Sequence, residues 1–300
     1  MPDSTMKLGL VQMAMGEDPD ANMAKAVDGV REAASGGAEV ICLPELFRSR
    51  YFCQTEDAAL FALAEPIPGP STETFAELSA ELDVTIVASL FERRAAGLYH
   101  NTAAVLDGSR GYVGKYRKMH IPDDPRFYEK FYFTPGDLGF KSFATDHGDL
   151  GVLICWDQWY PEAARLTALQ GAQVLFYPTA IGWQRYEKES HGGPQRDAWI
   201  TSQRAHAIAN GCYVVSVNRT GFEPAPDAAD ADDGIEFWGS SFVVAPNGQI
   251  LAQAGTDEET VLLVDAELGE IEALRHGWPF FRDRRIDAYA PLTRRFIDSD

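Results

Sequence analysis

No apolar run in this sequence approaches the roughly 20 residues that a membrane-spanning helix needs. The amino end passes straight into the strand-like run MKLGLVQMA without a basic region or a cleavage site, so no secretory signal is expected and a cytoplasmic location is. Positive charge is scarce: 26 Lys and Arg stand against 45 Asp and Glu, a formal net charge of −19. Phosphate binding draws on a basic surface, so neither nucleic acid nor an anionic membrane is an expected partner. Cysteine is scarce too. Cys42, Cys53, Cys155 and Cys212 include no CxxC pair, which argues against a zinc knuckle or a thioredoxin-type redox site. The chain has no HExxH pair and no GxSxG elbow, and the glycines at 108 and 114 are one residue too far apart for a phosphate loop.

What the chain does have is 300 residues with 45% apolar and 24% charged composition, ordinary for a folded protein with a sizeable core. Charge is unevenly spread. Residues 220–274 hold thirteen Asp or Glu and no Lys or Arg, whereas residues 275–300 hold six Arg and four Asp. The acidic stretch reads as a solvated face or as a patch favouring cationic ligands, and EPAPDAADADDG (223–234) as an exposed excursion.

Strands are expected at 6–14, 38–44, 84–91, 99–106, 111–116, 150–156, 172–178, 212–218, 237–246 and 261–266. Helices are expected near 18–34, 71–82, 160–170, 196–210 and 267–275, and Asn247-Gly248 marks a hairpin. One internal echo stands out. LGLVQM, a helix and GAEVICLP resemble LGVLIC, a helix and GAQVLFYP, about 135 residues later. Two β-α-β units of this kind suggest two halves facing each other across paired sheets, with ligands gathering at the carboxyl ends of their strands. Those ends are Pro44-Glu45, Cys155-Trp156 and Pro178-Thr179.

Cys155 ends an apolar strand just before a helix start at Pro161-Glu162, where nearby N–H groups favour thiolate and could receive an oxyanion; a buried structural thiol is the alternative. Glu45, directly after a strand and Pro44, suits a proton acceptor held among apolar neighbours, or a carboxylate at a helix start. Lys118 shares a basic loop with Lys115 and Arg117. Glu129, flanked by aromatics in FYEKFYF, is expected to be partly buried and to need a cationic partner.

Together these segments form a pattern. LPELF (43–47), GKYRKMHIP (114–122), EKFYFTPGD (129–137) and LICWDQWYPEAAR (153–165) resemble, in order and spacing, the motifs of the carbon–nitrogen hydrolase (nitrilase) superfamily. The resemblance runs over nearly the whole chain. It implies an α+β fold, a four-layer αββα sandwich, as one hydrolase domain over 6–275 with a C-terminal extension over 276–300 that joins subunits. By resemblance Cys155 is the nucleophile, Glu45 the general base, Lys118 the oxyanion stabiliser and Glu129 the acid that orients Lys118. It implies no metal and no organic cofactor, and a homo-oligomer, either a dimer or stacked dimers.

Longer stretches, RYFCQ (50–54), 115–141 and 155–183, are similar to the branch of the superfamily that cleaves N-carbamoylputrescine to putrescine, CO₂ and ammonia. Branches acting on N-carbamoyl-D-amino acids carry paired arginines after the nucleophile, where this chain has Gln158 and Trp159. A carboxylate-tailed substrate would therefore lose its clamp. A small cationic carbamoyl amine would instead want aromatic faces and acids, for which Tyr51, Trp156, Asp157, Trp159, Ala180 and Trp183 are the expected substrate-binding set. Tyr186, Glu187 and Asp124 are further candidates. The segment after Gly182, QRYEKESHGGPQRDAW, does not match that branch. Another amidase or carbamoyl-amino-acid hydrolase of the superfamily is the alternative; a non-catalytic scaffold fits poorly with four filled catalytic positions. A papain-like pairing of Cys155 with His120 is disfavoured, because the Glu-Lys-Glu set accounts for the site better.

Overall fold

The structure, a computed structural model, describes residues 5–228, 230 and 232–298. Its core is built from two six-stranded sheets. The first comprises β1 (Thr5–Gln12), β2 (Val40–Cys42), β3 (Thr85–Ala95), β4 (Leu98–Asp107), β5 (Gly111–Arg117) and β15 (Thr260–Glu267), in the order β15-β1-β2-β3-β4-β5. The second comprises β6 (Ser142–Thr145), β7 (Gly148–Val152), β8 (Val174–Thr179), β10 (Tyr213–Asn218), β13 (Phe242–Val244) and β14 (Ile250–Gln253), in the order β14-β13-β10-β8-β7-β6. A small third sheet, β11-β12-β9, joins β9 (Gly182–Gln184), β11 (Thr220–Pro224) and β12 (Gly234–Trp238).

The internal echo corresponds to real symmetry of construction. β1 pairs parallel with β2 across α1 (Pro19–Ser35), and β7 pairs parallel with β8 across α4 (Pro161–Leu169). Because both faces of these strands are covered, they read as continuous apolar runs and not as alternating ones. Met6, Leu8 and Leu10 of β1 meet Val152, Val174, Phe176 and Val215 of the second sheet in one buried cluster. On the outer side, Ala26, Val30 and Ala33 of α1 and Phe75 and Leu78 of α2 (Pro70–Leu82) pack on Ile41, Ile86, Ala88 and Leu106. Ala163 and Ala164 of α4, with Trp199 and Ala207 of α5 (Arg185–Asn210), cover the second sheet. Small residues at these contacts let helix and sheet approach closely: a Cβ on Gly9 would lie 2.9 Å from the Ala33 Cβ. The layers are thus helix, sheet, sheet, helix.

Three expectations differ from the structure. The run 237–246 is two strands in different sheets, divided at Gly239 and Ser240, which take φ of 50° and 54°. The strand expected over 150–156 ends at Val152, because the chain must turn to bring Cys155 out of the sheet. α5 begins at Arg185 and not near 196, passing straight through Gly192-Gly193-Pro194. Those residues are poor helix formers, but Trp183 packs into the notch at Gly192, its indole N–H donating to the Gly192 carbonyl at 3.2 Å. The hairpin at Asn247-Gly248 is present, joining β13 and β14 antiparallel with Gly248 at φ 85°. A short helix α3 (Glu129–Tyr132) and α6 (Gly269–Gly277) complete the α-helices among the described residues. No helix is long and apolar enough to cross a membrane among the described residues.

Candidate active site

The carboxyl ends of β2, β5, β7 and β8 converge. Glu45 follows β2, and its backbone N–H donates to the carbonyl of Thr179 at the end of β8, 3.4 Å away. Lys118 follows β5, Cys155 follows β7, and Ala180 follows β8. The Lys118 ammonium lies 2.8 Å from Oε1 of Glu45 and 2.7 Å from Oε2 of Glu129, and all three residues are 0% exposed. A cation so deeply buried stays charged only because it faces two carboxylates. They hold its pKa well above the usual lysine range, against a burial cost that would lower it. Burial pushes the Glu129 carboxyl up, and Lys118 pulls it back.

Each acid has its own support. Glu45 Oε1 also accepts from Asn101 Nδ2 at 2.7 Å, while Glu45 Oε2 is buried without any hydrogen-bond partner. Glu129 Oε1 accepts from the Tyr51 hydroxyl at 2.7 Å. The two carboxylates therefore differ: Glu129 has both oxygens engaged, whereas Glu45 keeps one acceptor free.

Cys155 sits in a single 3₁₀ turn, Cys155–Trp159, with φ of 40°, in the left-handed region that side chains avoid. Asp157 holds this turn. Its carboxylate accepts from the backbone N–H of Ile154 (3.0 Å), the Tyr116 hydroxyl (2.8 Å) and the backbone N–H of His120 (3.0 Å), and His120 Nδ1 lies 2.7 Å away. His120 is therefore tied to Asp157 and stacks flat on Tyr160, with ring centroids 3.7 Å apart. The thiol points to the Ala180 carbonyl at 3.8 Å. Local N–H groups do not decide its ionisation: burial, followed by the charge of Glu45, pushes the thiol well above its ordinary value, with Lys118 pulling it back.

Cys155 opens into a cavity of about 430 Å³, lined by Trp156, Trp159, Phe127, Trp238, Tyr186 and Ala180 among others. Among the described residues its charged lining consists of Asp124, Glu129 and Glu187, with no Lys, Arg or His. Of the substrate-binding set expected from sequence, Trp156, Trp159 and Ala180 line this cavity and Tyr51, Asp157 and Trp183 do not. Tyr51 lies behind Glu129, Asp157 is enclosed beneath the nucleophile turn, and Trp183 packs against Trp238 and Gly192. Gln158 faces away as well, accepting from Trp199 Nε1 at 2.6 Å and Gln203 Nε2 at 3.0 Å. The unmatched segment after Gly182 does form a cavity wall, through Gln184, Tyr186, Glu187, Gln195 and Ala198.

Residues 7–276 match the carbon-nitrogen hydrolase family over most of the chain. The chain belongs to that family. It is 44% identical to an N-carbamoylputrescine amidase of Solanum lycopersicum over 283 residues, covering 94% of this chain and 93% of the relative. It is 36% identical to a citrullinase of Francisella tularensis, covering 98% of this chain and all of that protein. Among solved structures, a carbon-nitrogen hydrolase from Helicobacter pylori G27 superposes with a TM-score of 0.94 at 44% identity, covering 98% of this chain and 100% of that one. This carbon-nitrogen hydrolase thus has the nitrilase-type sandwich expected from its motifs, and it hydrolyses amide or ureido C–N bonds.

Sequence reasoning missed Arg219. This arginine is fully buried; it donates to the carbonyls of Glu45 (3.0 Å) and Ser49 (3.0 Å) and to that of Leu46, and it pairs with Glu223 at 2.9 Å. It fixes the backbone on which Glu45 rides. Only its position directly after an apolar strand, beside the acidic stretch, could have marked it. Among the described residues no group of three or more His, Cys, Asp or Glu is placed to hold a metal ion.

Proposed function

We propose that this hydrolase cleaves N-carbamoylputrescine, or a closely related carbamoyl amine with a cationic tail, to the free amine, CO₂ and ammonia. The observation that carries the choice of tail is the cavity above Cys155: among the described residues its charged lining is Asp124, Glu129 and Glu187, and of these only Glu129 is paired with a cation, Lys118. A carboxylate tail would lose hydration there without finding a cation. An ammonium tail finds acids and aromatic faces together. The four amidases at 42–44% identity support the same reading.

In this reading Cys155 Sγ attacks the ureido carbon while Glu45, through its free Oε2, takes the thiol proton. Negative charge forms on the ureido oxygen and meets Lys118 and the backbone N–H of Trp156. Glu45 returns the proton to the departing nitrogen, the C–N bond breaks, and putrescine leaves a carbamoyl group on sulfur. Water then attacks that thioester, giving its proton to Glu45 and its oxygen to the carbonyl carbon. The Cys155 thiol is restored, and the carbamate released falls to CO₂ and ammonia. Glu129 and Tyr51 keep the Lys118 ammonium aimed at the oxygen.

Residues 6–275 form the catalytic domain in this reading, and 276–300 serve as an oligomer interface. The exposed Trp278, Phe280, Ile286, Leu292 and Phe296 support that role, since a monomer gains nothing by wetting them. The enzyme would work in the cytoplasm as a homo-oligomer. Ammonia release from N-carbamoylputrescine, N-carbamoyl-β-alanine and a simple ω-amide tests the substrate. A clear preference for the first is expected, and preference for the carboxylate substrate would overturn the reading.

A further inference from the structure

The part of the acidic stretch that holds Asp227, Asp232, Asp233 and Glu236 has no role in the chemistry above, yet these four carboxylates pair with cations next to the cavity wall. Two arginines stand there, each two residues from an acid of the cavity wall: Arg126 beside Asp124, and Arg185 beside Glu187. Neither lines the cavity. Arg126 is drawn off by Asp227 at 2.5 Å and by Asp233, with Nε 3.1 Å from Oδ1. Arg185 pairs with Asp232 at 2.6 Å and with Glu236 at 3.4 Å, and it lies over the Phe222 ring at 3.8 Å. Lys188, one residue beyond Glu187, is held by Glu236 as well. All the carboxylate acceptors belong to β12 or to the loop joining β11 to β12, and Arg126 donates besides to the Gln54 carbonyl at 3.3 Å.

The result is a partition of charge. Among the described residues no Lys, Arg or His pairs with Asp124 or Glu187; the Glu187 carboxylate accepts the backbone N–H of Gln184, at 3.3 Å. Freed from the loop and β12, Arg126, Arg185 and Lys188 all stand within two residues of those acids and are able to swing onto them. Long flexible arginines at a partly exposed site would take the nearest carboxylate available. We propose that the β11–β12 acidic loop determines specificity by sequestering Arg126 and Arg185, which leaves Asp124 and Glu187 unneutralised to bind the ammonium tail of the substrate. The loop residues are positioning residues: they touch arginines, not substrate. This inference rests on the cationic-tail reading above and adds which acids hold the tail and what keeps them free.

The test compares N-carbamoylputrescine with 1-pentylurea, its neutral isostere, in the full-length enzyme. Wild type is expected to favour the cationic substrate; if it does not, the cationic-tail reading itself fails and the loop is not at issue. Given that preference, Asp227→Asn combined with Asp233→Asn is expected to raise KM for N-carbamoylputrescine, with kcat little changed. The ratio of kcat/KM between the two substrates should fall roughly tenfold, the scale of one charge-assisted hydrogen bond. Adding Arg126→Gln should restore the ratio, since the one arginine those two acids held is then gone while Arg185 stays paired with Asp232 and Glu236. Equal loss on both substrates, or no rescue by Arg126→Gln, would show that the loop merely holds the fold and would overturn the proposal. Glu187→Gln with Asp124→Asn should lower the same ratio without rescue by Arg126→Gln; an unchanged ratio would overturn it too.

Discussion

The ammonium of Lys118 lies 2.7 Å from Glu129 Oε2, and neither side chain reaches solvent. Removing one charge from such a pair leaves the other uncompensated, at a cost of about 3–5 kcal/mol. Here Glu45 remains to hold Lys118, so Glu129→Gln should fold. Its turnover should fall by at least about tenfold, since oxyanion contacts of this kind contribute about 10²–10³ in kcat. Steady-state kinetics with circular dichroism to verify folding makes the check; wild-type kcat in a folded variant would remove Glu129 from the account.

Glu45 influences Cys155 in two opposed ways, and they can be separated. As a charge it pushes the thiol up; as a base it makes the thiol useful. Glu45→Gln should therefore abolish turnover while making alkylation of Cys155 by iodoacetamide at neutral pH faster. Slower alkylation in that variant would mean that Glu45 does not raise the thiol. In wild type the alkylation rate should keep rising with pH past 9, because the thiol ionises above its ordinary value.

Selectivity of labelling follows from access. All four cysteines are free and buried, but only Cys155 lines the cavity. Peptide mapping after brief alkylation of the native enzyme should find Cys155 modified well before Cys42, Cys53 or Cys212. Uniform labelling would indicate that the cavity does not reach the thiol.

Three of the four residues proposed as catalytic could be placed from sequence because they follow strands, and strands announce themselves by apolar runs, whereas Glu129 opens the short helix α3. Glu45, Lys118 and Cys155 each follow such a run, and the β-α-β echo tells which runs lie side by side. The cavity wall was much less legible. Asp157 and Trp183 are the residue types expected to face a cationic substrate, yet Asp157 meets the N–H groups beneath the nucleophile turn and Trp183 fills a notch at Gly192. Which way a side chain points in a 3₁₀ turn or a short strand depends on backbone angles such as the φ of 40° at Cys155, and no local pattern encodes them. The start of α5 was misread for a related reason, since tertiary packing overrode the weak helix propensity of Gly-Gly-Pro.

Stability should depend on pH through Glu92 of β3, which pairs with Lys115 and Arg117 of β5. Against the cost of burial, hydrogen bonds from Arg117 and Lys115 pull its carboxyl down to about 2. A depressed carboxyl pKa stabilises the fold above the unfolded value and loses that contribution as pH falls through the folded one. Wild-type stability should thus decline between the ordinary carboxylate value of 4.5 and about 2. Glu92→Gln should be less stable near neutral pH, and its stability should vary less across that acid range. Urea titrations at several pH values measure both; parallel curves for the two proteins would count against this role.

Arg219 offers the sharpest test of how the base is held, since it grips the carbonyls of Glu45, Leu46 and Ser49. Arg219→Met strands the buried Glu223 carboxylate, so a loss of about 3–5 kcal/mol in stability is expected. Arg219→Met with Glu223→Gln removes both charges and should recover much of that stability, while kcat stays low because the Glu45 backbone is no longer fixed. Recovery of kcat together with stability would show that Arg219 serves the fold alone.

The central claim is that Cys155 carries the carbamoyl group between the two half-reactions. Rapid acid quench of the enzyme turning over N-carbamoylputrescine, followed by mass spectrometry of its peptides, tests this directly. The account predicts one carbamoyl group on the Cys155 peptide, absent before substrate is added, with no ammonia released by Cys155→Ala. Steady ammonia release by Cys155→Ala, or an adduct found only on another residue, would contradict it.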